Sequence, residues 1–220
     1  MIVVLISPEA DDPRERSVLE AVMSDADVAP ERYHLRKPNW PVAKTEAWLQ
    51  EVPAEWRRRV VLHGPPELAR RFGLWGAHAK DGMAGDGRFR STSRHEWWAL
   101  QEAVGRFDSV FFGPVFESIS KRGYGREVRA DQAELSEFLQ ARRRDFGAAG
   151  AGGADPERGG RRTQVIAVGG VTAPRLERCA ELGFDGAAVL GTVWAAADPV
   201  AAWTEVAAAA AKLERAHHAA

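Results

Sequence analysis

Short apolar runs alternate along the chain with segments whose apolar residues recur three and four positions apart, and glycine or proline separates them. Met1 to Ile6 reads as a buried strand closed by Ser7-Pro8, and Arg14 to Met23 places Val18, Leu19, Val22 and Met23 at helical spacing. The alternation then repeats. Strands are expected at Tyr33–Arg36, Arg59–Leu62, Leu74–His78, Phe89–Thr92 and Ser109–Phe112. Helical patterns fall at Thr45–Leu49, Glu67–Phe72, His95–Val104 and Gln132–Arg142, while glycine-rich Asp81–Gly87 stands where a regular helix would follow the fourth strand.

The run from Thr163 to Trp194 organises the rest. Gln164 to Val168 is an apolar, β-branched strand that stops at Gly169-Gly170, and a helical pattern opened by Thr172 and Pro174 follows, with Leu176, Cys179 and Ala180 on one face. Gly183 ends that helix, and Ala187 to Leu190 forms a second buried strand finishing at Gly191-Thr192. Val200 to Leu213 closes the chain as an amphipathic helix. Eight strands alternating with helices predict an α/β fold, a single (β/α)8 TIM barrel over residues 1–220 with parallel strands. One stretch breaks the pattern: residues 143–162 are rich in glycine and arginine and poor in apolar side chains, and are expected to form a mobile insertion away from the strand ends.

Composition narrows the partners. The 220 residues are 45% hydrophobic, enough for one sizeable core, and 30 basic against 31 acidic side chains leave no global field for nucleic acid or an anionic membrane. Any anion affinity must be local. The single cysteine, Cys179, excludes an intramolecular disulfide and reads as core packing. Ile2 to Ile6 is too short for a membrane span and lacks a basic leader, so a cytoplasmic location is expected. A homo-oligomer stays open. Trp97 and Trp98 are adjacent, so at most one of them faces the core and the other is free for a contact.

In a barrel the chemistry collects at the carboxyl ends of the strands. Strand two delivers His34, Arg36 and Lys37 there, strand three His63, strand four His78, strand five Ser91 and Ser93, and strand six Gly113 onward to Ser118, Ser120 and Lys121. Strands seven and eight deliver the two glycine turns, whose bare N–H groups can face an anion. Cations, hydroxyls and open amides converging from several strands suit a phosphate ester or a diphosphate. A solvated pair is the lesser reading of Arg36-Lys37, which directly follows a buried strand, whereas His63 and His78 read as satisfied structural histidines before metal ligands.

With these segments in view, the chain resembles the thiamine phosphate synthase and thiazole tautomerase family, in a divergent branch. The resemblance rests on YHLRKP at Tyr33–Pro38, VVLHGPPELARRFGLWGAH at Val60–His78, Ser93-Arg94-His95, DSVFFGPVFESISKRGYG at Asp108–Gly125, VIAVGGV at Val165–Val171 and GFDGAAVLGTVW at Gly183–Trp194. It implies a transferase of thiamine biosynthesis that joins hydroxymethylpyrimidine diphosphate to thiazole phosphate and releases diphosphate, with Mg²⁺ as cofactor and these small phosphate esters as partners. It implies Arg36, Ser93 and Lys121 as catalytic residues, with Arg36 on the diphosphate. His34, Lys37, His63, Ser118 and Ser120 are implied as substrate contacts, and Gly169, Gly170, Gly191 and Thr192 as the holders of the thiazole phosphate.

The chain departs from the family pattern at several of these positions. His34 replaces a glutamine, and Lys37 is shifted by one from the expected lysine. His63-Gly64 replaces an Asn-Asp pair that would supply a metal carboxylate, leaving Asp81 as a nearby metal candidate. The tautomerases use a histidine in the sixth-strand segment, and Pro114 occupies that position. A tautomerase or a non-catalytic thiazole phosphate binder are therefore alternative readings. His34, His63 or His78 could supply the missing base in space.

Overall fold

The structure is a computed structural model that describes residues 1–80, 89–117, 132–148 and 162–218. Its eight strands are β1 (Ile2–Ile6), β2 (Arg32–Leu35), β3 (Val60–Leu62), β4 (Gly76–Ala79), β5 (Arg90–Arg94), β6 (Ser109–Phe112), β7 (Gln164–Val168) and β8 (Gly186–Val189). They pair in sequence order, all parallel, and β8 returns to β1 to close the barrel. The (β/α)8 expectation holds. The helices are α1 (Glu15–Ser24), α2 (Val42–Glu51), α3 (Ala54–Arg57), α4 (Pro66–Arg71), α5 (Trp97–Ala103), α6 (Gln132–Ala148), α7 (Leu176–Leu182), α8 (Gly191–Trp194) and α9 (Pro199–His218).

Strand alternation sorts the side chains into two cores. Tyr33 and Leu35 of β2, Val60 and Leu62 of β3, Ala77 of β4, and Val110 and Phe112 of β6 point outward into the layer beneath the helices. Residues one position out of step point into the barrel. On the side of β1 and β6–β8 that interior is apolar, built from Val4, Ile6, Phe111, Ile166 and Ala188. On the side of β2–β5 the inward positions include His34, His78 and Ser91 beside the apolar Val61, all buried. The barrel interior is thus half hydrocarbon and half polar, and the polar half rises to the carboxyl ends of the strands.

Two local features differ from the sequence reading. Helix α6 continues through residue 148, into the first residues of the expected insertion at 143–162, and residues 149–161 lie outside the described ones. Arg142, Arg143 and Arg162 explain why arginine sits at the start and end of that stretch. All three converge on the buried Asp185 carboxylate, which also accepts from the Val165 amide at 2.7 Å. The second feature is a pair of four-residue helices, α3 and α8, too short to show any periodicity in the sequence.

Cys179 is fully buried, and desolvation pushes its thiol up to about 12, in keeping with a packing role. Trp97 packs edge-to-face on Phe138 with ring centroids 5.1 Å apart, whereas Trp98 is 62% exposed, so the adjacent pair divides as expected. Among the described residues no helix is long and apolar enough to cross a membrane.

Candidate functional site

A cavity of about 910 Å³ opens at the carboxyl ends of the strands. Arg36, His63, His78, Ser93, His95, the Gly113-Pro114 turn, Gly169–Val171 and Gly191-Thr192 line it. Of the expected site residues, Arg36, Lys37, His63, Ser93, Gly169, Gly170, Gly191 and Thr192 therefore meet on one surface. Asp81, Ser118, Ser120 and Lys121 lie outside the described residues.

One rim of the cavity consists of the turns after β7 and β8. Gly169 and Gly170 both adopt positive φ, +94° and +63°, and both are packed against the segment that follows β6. A Cβ on Gly169 would come within 2.7 Å of the Pro114 Cα, and one on Gly170 would run into the Glu117 carbonyl. Glycine is required twice over. The Thr192 hydroxyl donates to the Val171 carbonyl and so ties the β8 turn to the β7 turn. Among the described residues, the backbone N–H groups of Gly170, Gly191 and Thr192 donate to no other backbone group. Such open amides, side by side in a concave rim, are suited to a phosphate group.

The cationic residues after β2 part company. Ser7, buried at the end of β1, accepts from the Arg36 amide at 2.8 Å and donates to the Arg36 carbonyl at 3.1 Å, which fixes the backbone at the cavity edge. The Arg36 guanidinium pairs with Glu9 and remains partly exposed, within reach of an anion. Lys37 behaves differently. Its ammonium lies 2.5 Å from Glu15 and 3.1 Å from the Ala10 carbonyl, with its side chain only 2% exposed. Lys37 thus borders the cavity with its ammonium engaged by Glu15 rather than directed into the open space. Its charge is spent on the barrel wall beside α1.

The floor of the cavity carries the histidines. His34 Nδ1 lies 2.9 Å from His63 Nε2, and the His63 and His78 rings stack with centroids 3.9 Å apart. Ser91 Oγ sits 2.8 Å from His78 Nδ1 and Ser93 Oγ 3.0 Å from its Nε2, so both ring nitrogens have partners. Phe111 closes against His34 at 4.7 Å between centroids. Desolvation, helped by their mutual repulsion and by nearby arginines, holds all three imidazoles well below the usual histidine range, with His78 at about 3. They are neutral at pH 7. His34 is 1% exposed and lies beneath the floor rather than on it, backing His63, so it is not among the described lining residues.

His95 is a residue the sequence reading quoted without assigning a role. Its Nδ1 lies 2.5 Å from the Gly113 carbonyl, which can only accept, so Nδ1 carries the proton and Nε2 is left as a lone pair on an exposed, cavity-lining ring. The missed signal was its place directly after β5, where strand ends carry chemistry.

The described lining residues do not by themselves supply the oxygen donors that Mg²⁺ calls for, and Asp81, the expected metal candidate, lies outside the described residues. The one carboxylate among the described lining residues is Glu9, which is paired with Arg36, whereas Mg²⁺ calls for an octahedron of oxygen donors.

No family model matches the sequence, and no curated protein matches it. Solved structures do. The thiamine phosphate pyrophosphorylase from Bacteroides thetaiotaomicron superposes over 96% of this chain and 98% of its own, at 22% identity and a TM-score of 0.68. That from Pyrococcus furiosus does so over 96% of both chains at 16% identity, also with a TM-score of 0.68. The two share their fold with this chain. The resemblance read from the motifs is thus met by the structures as well. Another similar barrel is the 3-hexulose-6-phosphate synthase from Salmonella typhimurium, at 13% identity and a TM-score of 0.58 over 95% of this chain and 98% of that one.

Proposed function

We propose that this chain is a thiamine phosphate synthase-like transferase, which joins hydroxymethylpyrimidine diphosphate to thiazole phosphate and releases diphosphate. The observation that carries the proposal is the pairing of the β7 and β8 glycine turns on the cavity that Arg36 and Ser93 also line. In the reaction the bond from the pyrimidine methylene carbon to the diphosphate oxygen breaks, and a bond from that carbon to the thiazole nitrogen forms. The open amides at Gly170, Gly191 and Thr192 hold the thiazole phosphate. Arg36 exchanges Glu9 for the diphosphate and offsets its growing charge, and the Ser93 hydroxyl donates to the same group. Both similar pyrophosphorylases support this reading through the shared fold.

The tautomerase alternative draws on one observation of its own. The Nε2 of His95, without a hydrogen-bond partner among the described residues, belongs to a ring that borders the cavity next to Gly113-Pro114, where a base could reach a bound thiazole phosphate.

The test is to supply both substrates and follow diphosphate and thiamine phosphate together. Equal amounts of the two, formed only when both substrates are present and at least tenfold slower in kcat/KM for Arg36→Ala, are expected. No diphosphate alongside saturable thiazole phosphate binding would overturn the transferase reading. Proton exchange into the thiazole that is lost in His95→Gln would then establish the tautomerase.

A further inference from the structure

We propose that His34, His63 and His78 form a three-histidine site for a divalent first-row transition metal, Zn²⁺ foremost, at the floor of the cavity. His34 and His78 lie in β2 and β4 and His63 directly follows β3, and each contributes one ring nitrogen to a group whose members all lie within 4.8 Å of one another. Among the described residues they are the one such group. Zn²⁺ binds imidazole at about 2.0–2.1 Å, which places neighbouring ligand nitrogens about 2.8–3.4 Å apart in octahedral or tetrahedral sites. The 2.9 Å between His34 Nδ1 and His63 Nε2 is already near that separation.

The chemistry of the donors agrees with the geometry. A metal needs the imidazole lone pair, so neutral histidines are prepared for it. His78 carries a supporting contact of the kind that orients a ligand. Ser91 is fully buried and can accept the Nδ1 proton, which leaves Nε2 directed to the cavity side, where Ser93 now donates to it. Phe111 fixes the other edge of the group. His63 and His78 border the cavity while His34 backs them, so an ion held by the three keeps a side open towards a bound ligand, as reactive zinc sites do. Nitrogen donors select zinc, cobalt or nickel over Mg²⁺. The proposal rests on the histidines alone and does not depend on the transferase reading.

The test uses the full chain, stripped with a chelator and titrated with Zn²⁺ and separately with Co²⁺. One ion per chain is expected, with a visible Co²⁺ spectrum. Affinity should fall at least a hundredfold in His63→Gln and in His78→Gln, and about tenfold in Ser91→Ala, which removes only the group that accepts from His78. Absent binding, or binding that these variants leave unchanged, overturns the proposal. Should a histidine variant fail to fold, X-ray absorption on the zinc-loaded wild type decides alone. Three imidazole nitrogens at about 2.0–2.1 Å are expected, and a shell made of oxygens refutes the site.

Discussion

The Lys37 ammonium and the Glu15 carboxylate lie 2.5 Å apart with their side chains 2% and 5% exposed, a buried ion pair that joins the end of β2 to the start of α1. Tyr33 adds a hydrogen bond to the same carboxylate at 2.7 Å. Burial still raises the Glu15 carboxyl above its ordinary range, so the pair is held by the surrounding packing as much as by its own attraction. Removing one partner strands the other charge. Lys37→Met and Glu15→Ala are each expected to cost about 3–5 kcal/mol in urea unfolding. The double variant Lys37→Met with Glu15→Gln, which keeps an acceptor for Tyr33, should be more stable than either single change. Its affinity for thiazole phosphate should stay within about twofold of wild type, because the ammonium was never free for a ligand.

The histidine floor makes the metal-free protein acid-sensitive. A histidine held below its unfolded value near 6.5 contributes stability that is complete above that pH and is lost as the pH falls towards its folded value, about 3 for His78. Between pH 7.5 and 5, His78 alone accounts for a loss of about 2 kcal/mol, with His34 and His63 acting in the same direction. Chelator-treated wild type should therefore show a urea midpoint that drops across this range. His78→Asn should drop by clearly less, and equal slopes for the two proteins would contradict the account.

The proposed phosphate rim depends on backbone that side chains cannot copy. Gly170→Ala adds a Cβ at φ +63° against the Glu117 carbonyl, so the turn must move. The expected result is a loss of about 1–3 kcal/mol in stability and at least tenfold weaker binding of thiazole phosphate by calorimetry. The unphosphorylated thiazole alcohol should bind weakly to both proteins. Wild-type affinity for the alcohol equal to that for the phosphate would remove the rim from the account.

At the opposite end of β7 and β8, Asp185 gathers Arg142, Arg143 and Arg162 and accepts from the Val165 amide. Burial lowers the Arg142 guanidinium despite this partner, which marks a charge that depends on it. Asp185→Asn is expected to cost about 3 kcal/mol in unfolding free energy. Ligand affinity should be unchanged, since the network lies away from the cavity.

Much of this was legible in the residues. β1, β6 and β7 are apolar runs bounded by glycine, proline or charge, and the eightfold strand–helix rhythm fixes the closed parallel sheet. The glycine turns after β7 and β8 were visible because glycine directly after a buried strand has few structural uses. What stayed hidden depends on contacts between distant segments. Nothing near Lys37 in the sequence points to Glu15, whose position at a helix start reads as an ordinary acidic first-turn residue. The histidine group was half visible. Tyr33 and Leu35 are the outward pair of β2, so His34 must point inward, but its 2.9 Å approach to His63 depends on the β2–β3 register, which periodicity does not give.

The most direct measurement of the central claim is a crystal structure of the full chain with thiazole phosphate bound. The account predicts the phosphate oxygens within hydrogen-bonding distance of the backbone N–H groups at Gly170, Gly191 and Thr192, with the thiazole ring directed towards Ser93 and His63. A phosphate bound elsewhere on the barrel, or turns of β7 and β8 that stay empty at saturating ligand, would contradict it.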